Sequence, residues 1–246
     1  MLSVEFDVLL LDIEGTITPM DFVYNTLFPF ARCHIREFVE QNHDEHSVHE
    51  DIVDLKTQYQ IDISSGLTPP TWQDEPCDPA AIEVYVHWLM DHDRKVASLK
   101  ALQGKIWKSG YENGTLRGCV FEDILPAFQE LQERKKAIYL FSSGSVLAQQ
   151  LLITHSECGD LSQYISGYFD ISMGLKREPL SYKTIARTIG VTPSNVLFIS
   201  DTIIELDAAH TIGMQVLLAR RHGNVEQGES SYLCIESFYP LEPLMS

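Results

Sequence analysis

A chain of 246 residues is long enough for one large domain or for a core with a smaller accessory domain. Its 44% hydrophobic and 22% charged content is ordinary for a soluble globular protein, and no apolar run approaches the roughly 20 residues of a membrane span. A net charge of -17 argues against nucleic acid and anionic membrane as partners, and it sets a condition on any anionic substrate: a bound cation and a well-placed Lys must offset the acidity locally.

The N-terminal stretch lacks the basic region and cleavage site of a signal peptide, so VEFDVLLLD reads as a buried core strand and the protein as cytoplasmic. Both faces of VLLLD are apolar, as a central parallel strand requires. From about Phe22 to Cys119 the periodicity is helical. FVYNTLFPFARCHIREFVEQ reads as a helix interrupted near Pro29, and AAIEVYVHWLMDHD and VASLKALQGKIWKSGY as amphipathic helices. SSGLTPPTWQDEPCDP, with four prolines, reads as a loop. From Ala137 onward short apolar runs alternate with helices: AIYLF then VLAQQLLI, NVLFIS then ELDAAHTI, and MQVLLA at the end. This predicts an α/β parallel sheet with crossover helices, interrupted after its first strand by a helical insert. The expected division is a core of residues 1–21 and 120–246 and an insert of residues 22–119.

Five cysteines, Cys33, Cys77, Cys119, Cys158 and Cys234, are odd in number, widely spaced and without a CxxC pair. Neither a disulfide framework nor a zinc site is expected, and most of them read as buried reduced thiols.

Four short segments carry the chemistry. Asp12-Ile13-Glu14-Gly15-Thr16 ends the first strand, where α/β sheets place ligands, and its acids and backbone carbonyls suit a hard cation. Ser142 and Ser143, in FSSGS, sit between a strand and a helix N-terminus, a natural phosphate cradle. The simpler alternative there is N-capping, and different serines can do the two jobs. Lys176 precedes the helix that begins near Ser181 and can neutralise bound phosphate, with Arg177 as its local competitor. Asp201 ends the strand NVLFI, as Asp12 ends the first. Glu205 and Asp207 follow within the next turns, where simple complementarity to the helix dipole also explains carboxylates. Each segment alone has a bland explanation. Together they supply a nucleophile, a cradle, a charge partner and a metal site.

In this order the four segments resemble the motifs of the haloacid dehalogenase superfamily of phosphatases. Its usual first motif is Asp-x-Asp-Gly-Thr, and here Glu14 takes the second acidic position. That departure, together with FVYNTLFPFA, LQGKIWKSGYENGTLRGCVFEDILPAF, YLFSSGSVLAQQLL, SYKTIA and FISDTIIELDAA, resembles the acireductone synthase family, the bifunctional enolase-phosphatases of methionine salvage. Asn42 to Pro79 and the tail after Arg221 are its least similar stretches. The resemblance implies a Rossmann-like parallel-sheet core with an inserted α-helical cap, and a magnesium-dependent reaction. In that reaction 2,3-diketo-5-methylthiopentyl 1-phosphate is enolised and then hydrolysed to acireductone and phosphate.

Carried over by position, Asp12, Glu14 and Asp201 bind one magnesium ion, Ser142 and Ser143 bind the phosphate, and Lys176 contacts it. Asp12 is then the nucleophile that forms an aspartyl phosphate. Glu14 gives its backbone carbonyl to the metal and its carboxylate to acid-base work. The enolising base is left open between Glu14 and a residue of the cap. His155, His210 and His222 read as surface or core residues, and Trp107 as packing. The expected partner is a small-molecule phosphate ester bound by a monomer, and the cap is expected to read the methylthio tail. The rivals are a phosphatase or phosphomutase of the same superfamily acting on another small phosphate ester, a metal-free dehalogenase, and a binding protein with a dead site.

Overall fold

The computed structural model describes residues 5–72, 77–224, 228 and 230–239. The chain divides into two compact units, residues 1–23 with 117–246 and residues 24–116, where the sequence places an insert at 22–119.

The first unit opens with β1 (Val8–Leu11), whose four residues are all buried, and a short α1 (Met20–Phe22). A π-helical turn, Val23–Leu27, leads into the helices of the second unit: α2 (Phe28–Asn42), α3 (His46–Ser64), α4 (Pro79–Asp91) and α5 (Ala97–Glu112). The first unit resumes with α6 (Ile124–Glu133), β2 (Ala137–Phe141), α7 (Val146–Thr154), β3 (Ile165–Phe169) and α8 (Pro179–Ile189). It ends with β4 (Val196–Ser200), α9 (Ile203–Thr211), β5 (Gln215–Ala219) and a two-residue β6 (Cys234–Ile235).

The six strands form one parallel sheet in the order β3-β2-β1-β4-β5-β6. Leu11 is level with Leu140 on one side and Ile199 on the other. The first polar residues beyond three neighbouring strands therefore emerge along one rim. The chain runs outward from β1 through β2 to β3, then returns to the other side of β1 for β4. The crevice at such a reversal is where open α/β sheets bind ligands. Val8 and Leu10 pack into a core with Phe141, Tyr182, Phe198 and Leu206, so α8 and α9 cover that face. Leu9 and Leu11 point to the opposite face and are equally buried, which explains why β1 reads as an unbroken apolar run.

In the second unit the interruption expected near Pro29 takes the form of the π-turn, with Pro29 in the first turn of α2. Proline has no N–H to close the preceding turn. α3 is a 19-residue helix that the sequence reading does not single out, and it buries Val48, Ile52, Leu55, Tyr59 and Asp62. Asp62 is a carboxylate in an apolar stripe and is 1% exposed. It accepts hydrogen bonds from Gln58 (2.7 Å), the Tyr85 hydroxyl (2.8 Å) and Arg94 (2.7 Å), tying α3 to α4 and the turn beyond it. Burial would raise its pKa, but these three donors outweigh burial and hold it below the usual carboxylate value. Asp62→Ala strands a buried tyrosine hydroxyl and leaves Arg94 without its partner. The expected loss is about 3 kcal/mol of stability in urea unfolding.

None of the five cysteines is buried, contrary to expectation: Cys33, Cys158 and Cys234 are exposed, Cys77 and Cys119 half-buried, and all are free thiols. Cys33 lies on α2 between core positions Ala31 and Ile35, a spacing that turns it outward. No helix among the described residues is long and apolar enough to cross a membrane.

Candidate active site

The site is built from the loops that leave β1, β2, β3 and β4. After β1, Asp12 remains buried at 5% exposure, and its N–H donates to the Ile199 carbonyl of β4. The backbone then folds tightly. The N–H groups of Thr16, Ile17 and Thr18 all donate to the Ile13 carbonyl, and Gly15 N–H donates to the Thr18 carbonyl at 2.8 Å. Gly15 has a φ of 72°, and a Cβ there would run into the Asp201 carboxylate and the Asn224 amide, so glycine is required on both counts. Thr16 links two loops: its hydroxyl donates to Asp12 Oδ2 at 3.3 Å and accepts from Asp201 N–H at 3.1 Å. Glu14 is half-buried in the same turn.

Lys176 is the buried cation of the site. Its ammonium pairs with Asp12 Oδ1 and with Glu205 Oε2, the latter at 2.6 Å, and lies 5.7 Å from the centre of the Phe141 ring. Burial alone would lower its pKa, but the two carboxylates more than compensate and raise it. Its backbone is fixed as well, since the buried Tyr182 hydroxyl donates to the Lys176 carbonyl at 2.7 Å. Arg177, the neighbour that competes with it in the sequence, is exposed.

Glu205 is the residue whose role the sequence left open. It lies in the first turn of α9, accepts a hydrogen bond from Ser200 Oγ at 2.9 Å, and holds the same Lys176 ammonium that pairs with Asp12. Asp207 takes no part there; it is exposed and accepts from the Tyr232 hydroxyl at 2.6 Å. Asp201 accepts from Thr202 Oγ1 at 3.0 Å and from Asn224 Nδ2 at 3.3 Å. Burial, then the charge of Asp12, pushes the Asp201 carboxyl up to about 6. The same two causes push Glu205 up to about 7.

The β2 loop separates two jobs. Ser145 caps α7 by accepting from Ala148 N–H at 3.3 Å. Ser142 is buried and accepts from Gly144 N–H at 3.0 Å, and Ser143 is exposed, so neither is used as the cap. Trp107 packs against the core of the helical unit and donates from Nε1 to the Leu27 carbonyl at 2.8 Å.

The donor set suits a hard divalent cation. Buried Asp12 and half-buried Asp201 are close enough for the charge of Asp12 to raise the pKa of Asp201, and Lys176 is already shared with Glu205. A cation would relieve that repulsion, and the ligands on offer are oxygens. Among the described residues no three His, Cys, Asp or Glu side chains form a metal-holding group. A cation here would therefore rest on two carboxylates together with backbone and solvent oxygens. Buried Asn224 Oδ1 and Thr18 Oγ1 have no partner among the described residues, which leaves unused acceptors on the same loops.

A family model described as haloacid dehalogenase-like hydrolase matches residues 6–213. The chain is 47% identical over 237 residues to enolase-phosphatase E1 of Synechococcus elongatus, covering 96% of this chain and 98% of that one. It is 41% identical over 222 residues to enolase-phosphatase E1 of Anopheles gambiae, covering 89% and 75%. Among solved structures, the UTR4 protein of Saccharomyces cerevisiae superposes with a TM-score of 0.78 at 34% identity, covering 96% of this chain and all of the other.

Proposed function

Because the chain belongs to the enolase-phosphatase E1 family of haloacid dehalogenase-like hydrolases, we propose that it converts 2,3-diketo-5-methylthiopentyl 1-phosphate to acireductone and inorganic phosphate in methionine salvage. The observation that carries the chemistry is the buried Asp12, oriented through one oxygen by Lys176 and contacted through the other by Thr16.

In this reading an Asp12 oxygen attacks phosphorus, the bond from phosphorus to the enolate oxygen breaks, and an aspartyl phosphate forms. The Glu14 carboxyl gives a proton to the departing oxygen. It then takes one from the water that hydrolyses the intermediate and returns Asp12 as a carboxylate. Lys176 stabilises the added charge on the transferring oxygens, with Glu205 fixing its position. Ser142 and Ser143, in the loop ahead of α7, receive the phosphate. Asp12, Asp201 and the backbone carbonyl of Glu14 would hold one magnesium ion, which when bound supplies charge neutralisation and polarises the substrate oxygens. Glu14 and a residue of the helical unit are the candidates for the enolising base. Recognition of the methylthio tail by that unit, a monomeric state and a cytoplasmic location belong to the same proposal.

The test is to follow phosphate release and enol absorbance together on the diketo phosphate. EDTA is expected to abolish phosphate release and magnesium to restore it, because the two neighbouring acids cannot otherwise approach an anionic phosphoryl group. Full turnover in the chelator would overturn the metal assignment. Phosphate release from sugar phosphates but not from the diketo phosphate would favour the rival reading of another small phosphate ester.

A further inference from the structure

The loop that follows β5 enters the site from a direction the four sequence segments do not cover. It starts at Arg221, which is 6% exposed. The guanidinium of Arg221 grips both oxygens of Asp123, with Nη1 at 2.8 Å, and donates to the Glu236 carbonyl at 3.0 Å. It also lies 4.0 Å from the centre of the Phe121 ring. From this anchor the chain turns sharply. Gly223 has a φ of 89°, and Asn224 N–H donates to the Arg221 carbonyl at 3.1 Å. The turn delivers the Asn224 amide between two site loops, where Nδ2 donates to the Gly15 carbonyl at 2.8 Å and to Asp201 Oδ2 at 3.3 Å. The reversed amide would set an oxygen against two acceptors, so the contacts fix its orientation. Oδ1 is buried without a hydrogen-bond partner among the described residues, so the bonds this side chain makes are those to the site.

We propose that Asn224 is a positioning residue for the magnesium site, an inference that rests on the metal-dependent function proposed above. Its amide and the Thr202 hydroxyl place one donor on each oxygen of Asp201, which stops the carboxylate from rotating. Its bond to Gly15 locks the turn that carries Glu14 to the same carboxylate. A neutral donor does this without competing for the cation, as a lysine or arginine would. Partners that orient a ligating carboxylate typically change metal affinity by 10- to 100-fold.

The experiment uses the full chain as wild type, Asn224→Ala and Asn224→Ser. Serine is too short to reach both acceptors, yet it suits the end of a turn. Magnesium is titrated by calorimetry, urea unfolding is measured in EDTA, and phosphate release is followed against magnesium concentration. Both variants are expected to bind magnesium about tenfold more weakly. Their unfolding midpoint in EDTA should fall only slightly, far less than magnesium affinity, and phosphate release should recover as magnesium approaches saturation. Unchanged magnesium affinity, or failure of both variants to fold, overturns the positioning role in favour of none or of a structural one. If wild type itself binds no magnesium, the metal-dependent function falls first and takes this inference with it.

Discussion

Asp12→Asn is expected to lower phosphate release by a factor on the order of 10⁴ or more, because an amide cannot serve as the nucleophile that forms an acyl phosphate. The substitution is nearly isosteric and leaves the tight turn from Ile13 to Thr18 untouched, while the single amide oxygen can accept from Lys176 or from Thr16 but not from both. Lys176 also stays paired, since Glu205 holds it at 2.6 Å. The variant should therefore fold, with circular dichroism unchanged and a loss of stability of about 1–2 kcal/mol at most. Retention of more than a few per cent of activity in a folded variant removes Asp12 as the nucleophile. If Asp12 acts only in phosphoryl transfer and magnesium still binds, the enol phosphate should accumulate and its absorbance should rise without phosphate release. A variant that loses both steps would place Asp12 in enolisation as well.

The second large effect is expected at Lys176. Lys176→Met keeps the length of the side chain and removes its charge. Asp12 and Glu205 are then left without their shared ammonium, beside the further carboxylate of Asp201. Loss of a positioned charge that faces the transferring group typically costs 10² to 10³ in turnover. Leaving a buried charge without its partner costs about 3–5 kcal/mol of stability, less whatever the carboxyls recover by taking up protons. The magnesium-free protein should therefore unfold at clearly lower urea, and turnover should fall about 10³-fold even at saturating magnesium. Glu205→Gln makes the informative contrast. It retains the ammonium on Asp12 and a hydrogen-bonding group toward Ser200, so its loss of turnover should be far smaller than that of Lys176→Met. Equal losses would mean that Glu205 acts on the substrate directly and does not work through the lysine. A Lys176→Met enzyme within tenfold of wild type would show that the ammonium does not face the phosphoryl group.

The strands and the acids that end them could be read in the sequence because both are local features. An apolar run such as Val8–Leu11 must be buried on two faces, and the first polar residue beyond it must reach the rim, which located Asp12, Ser142 and Asp201. The helical insert announced itself through periodicity alone. Edge elements did not: β3 is half-buried and carries Gly167, where a Cβ would press on the Tyr139 ring, and β6 is only two residues long. Such strands lack the apolar run that marks a central one.

Identity within the haloacid dehalogenase-like hydrolases was legible too, because Glu14 and the segments of the insert set this chain apart from the usual first motif. What the sequence could not decide was which of two neighbouring candidates faces the site. Lys176 and Arg177 are adjacent cations, and only the packing of Tyr182 under the Lys176 carbonyl turns the lysine inward. Glu205 and Asp207 lie two residues apart on α9, about 200° around the helix, so the tertiary placement of that helix admits one and exposes the other. Asn224 comes from a loop anchored by Asp123, 98 residues before Arg221 in the chain, and meets Gly15 across a separation of 209. Contacts over such distances follow from the strand order, with β1 between β2 and β4. A linear pattern carries composition and local period but no strand order. Asp12 and Asp201, the proposed nucleophile and metal acid, could therefore be picked out from the chain itself, and the groups that hold them in place only from the fold.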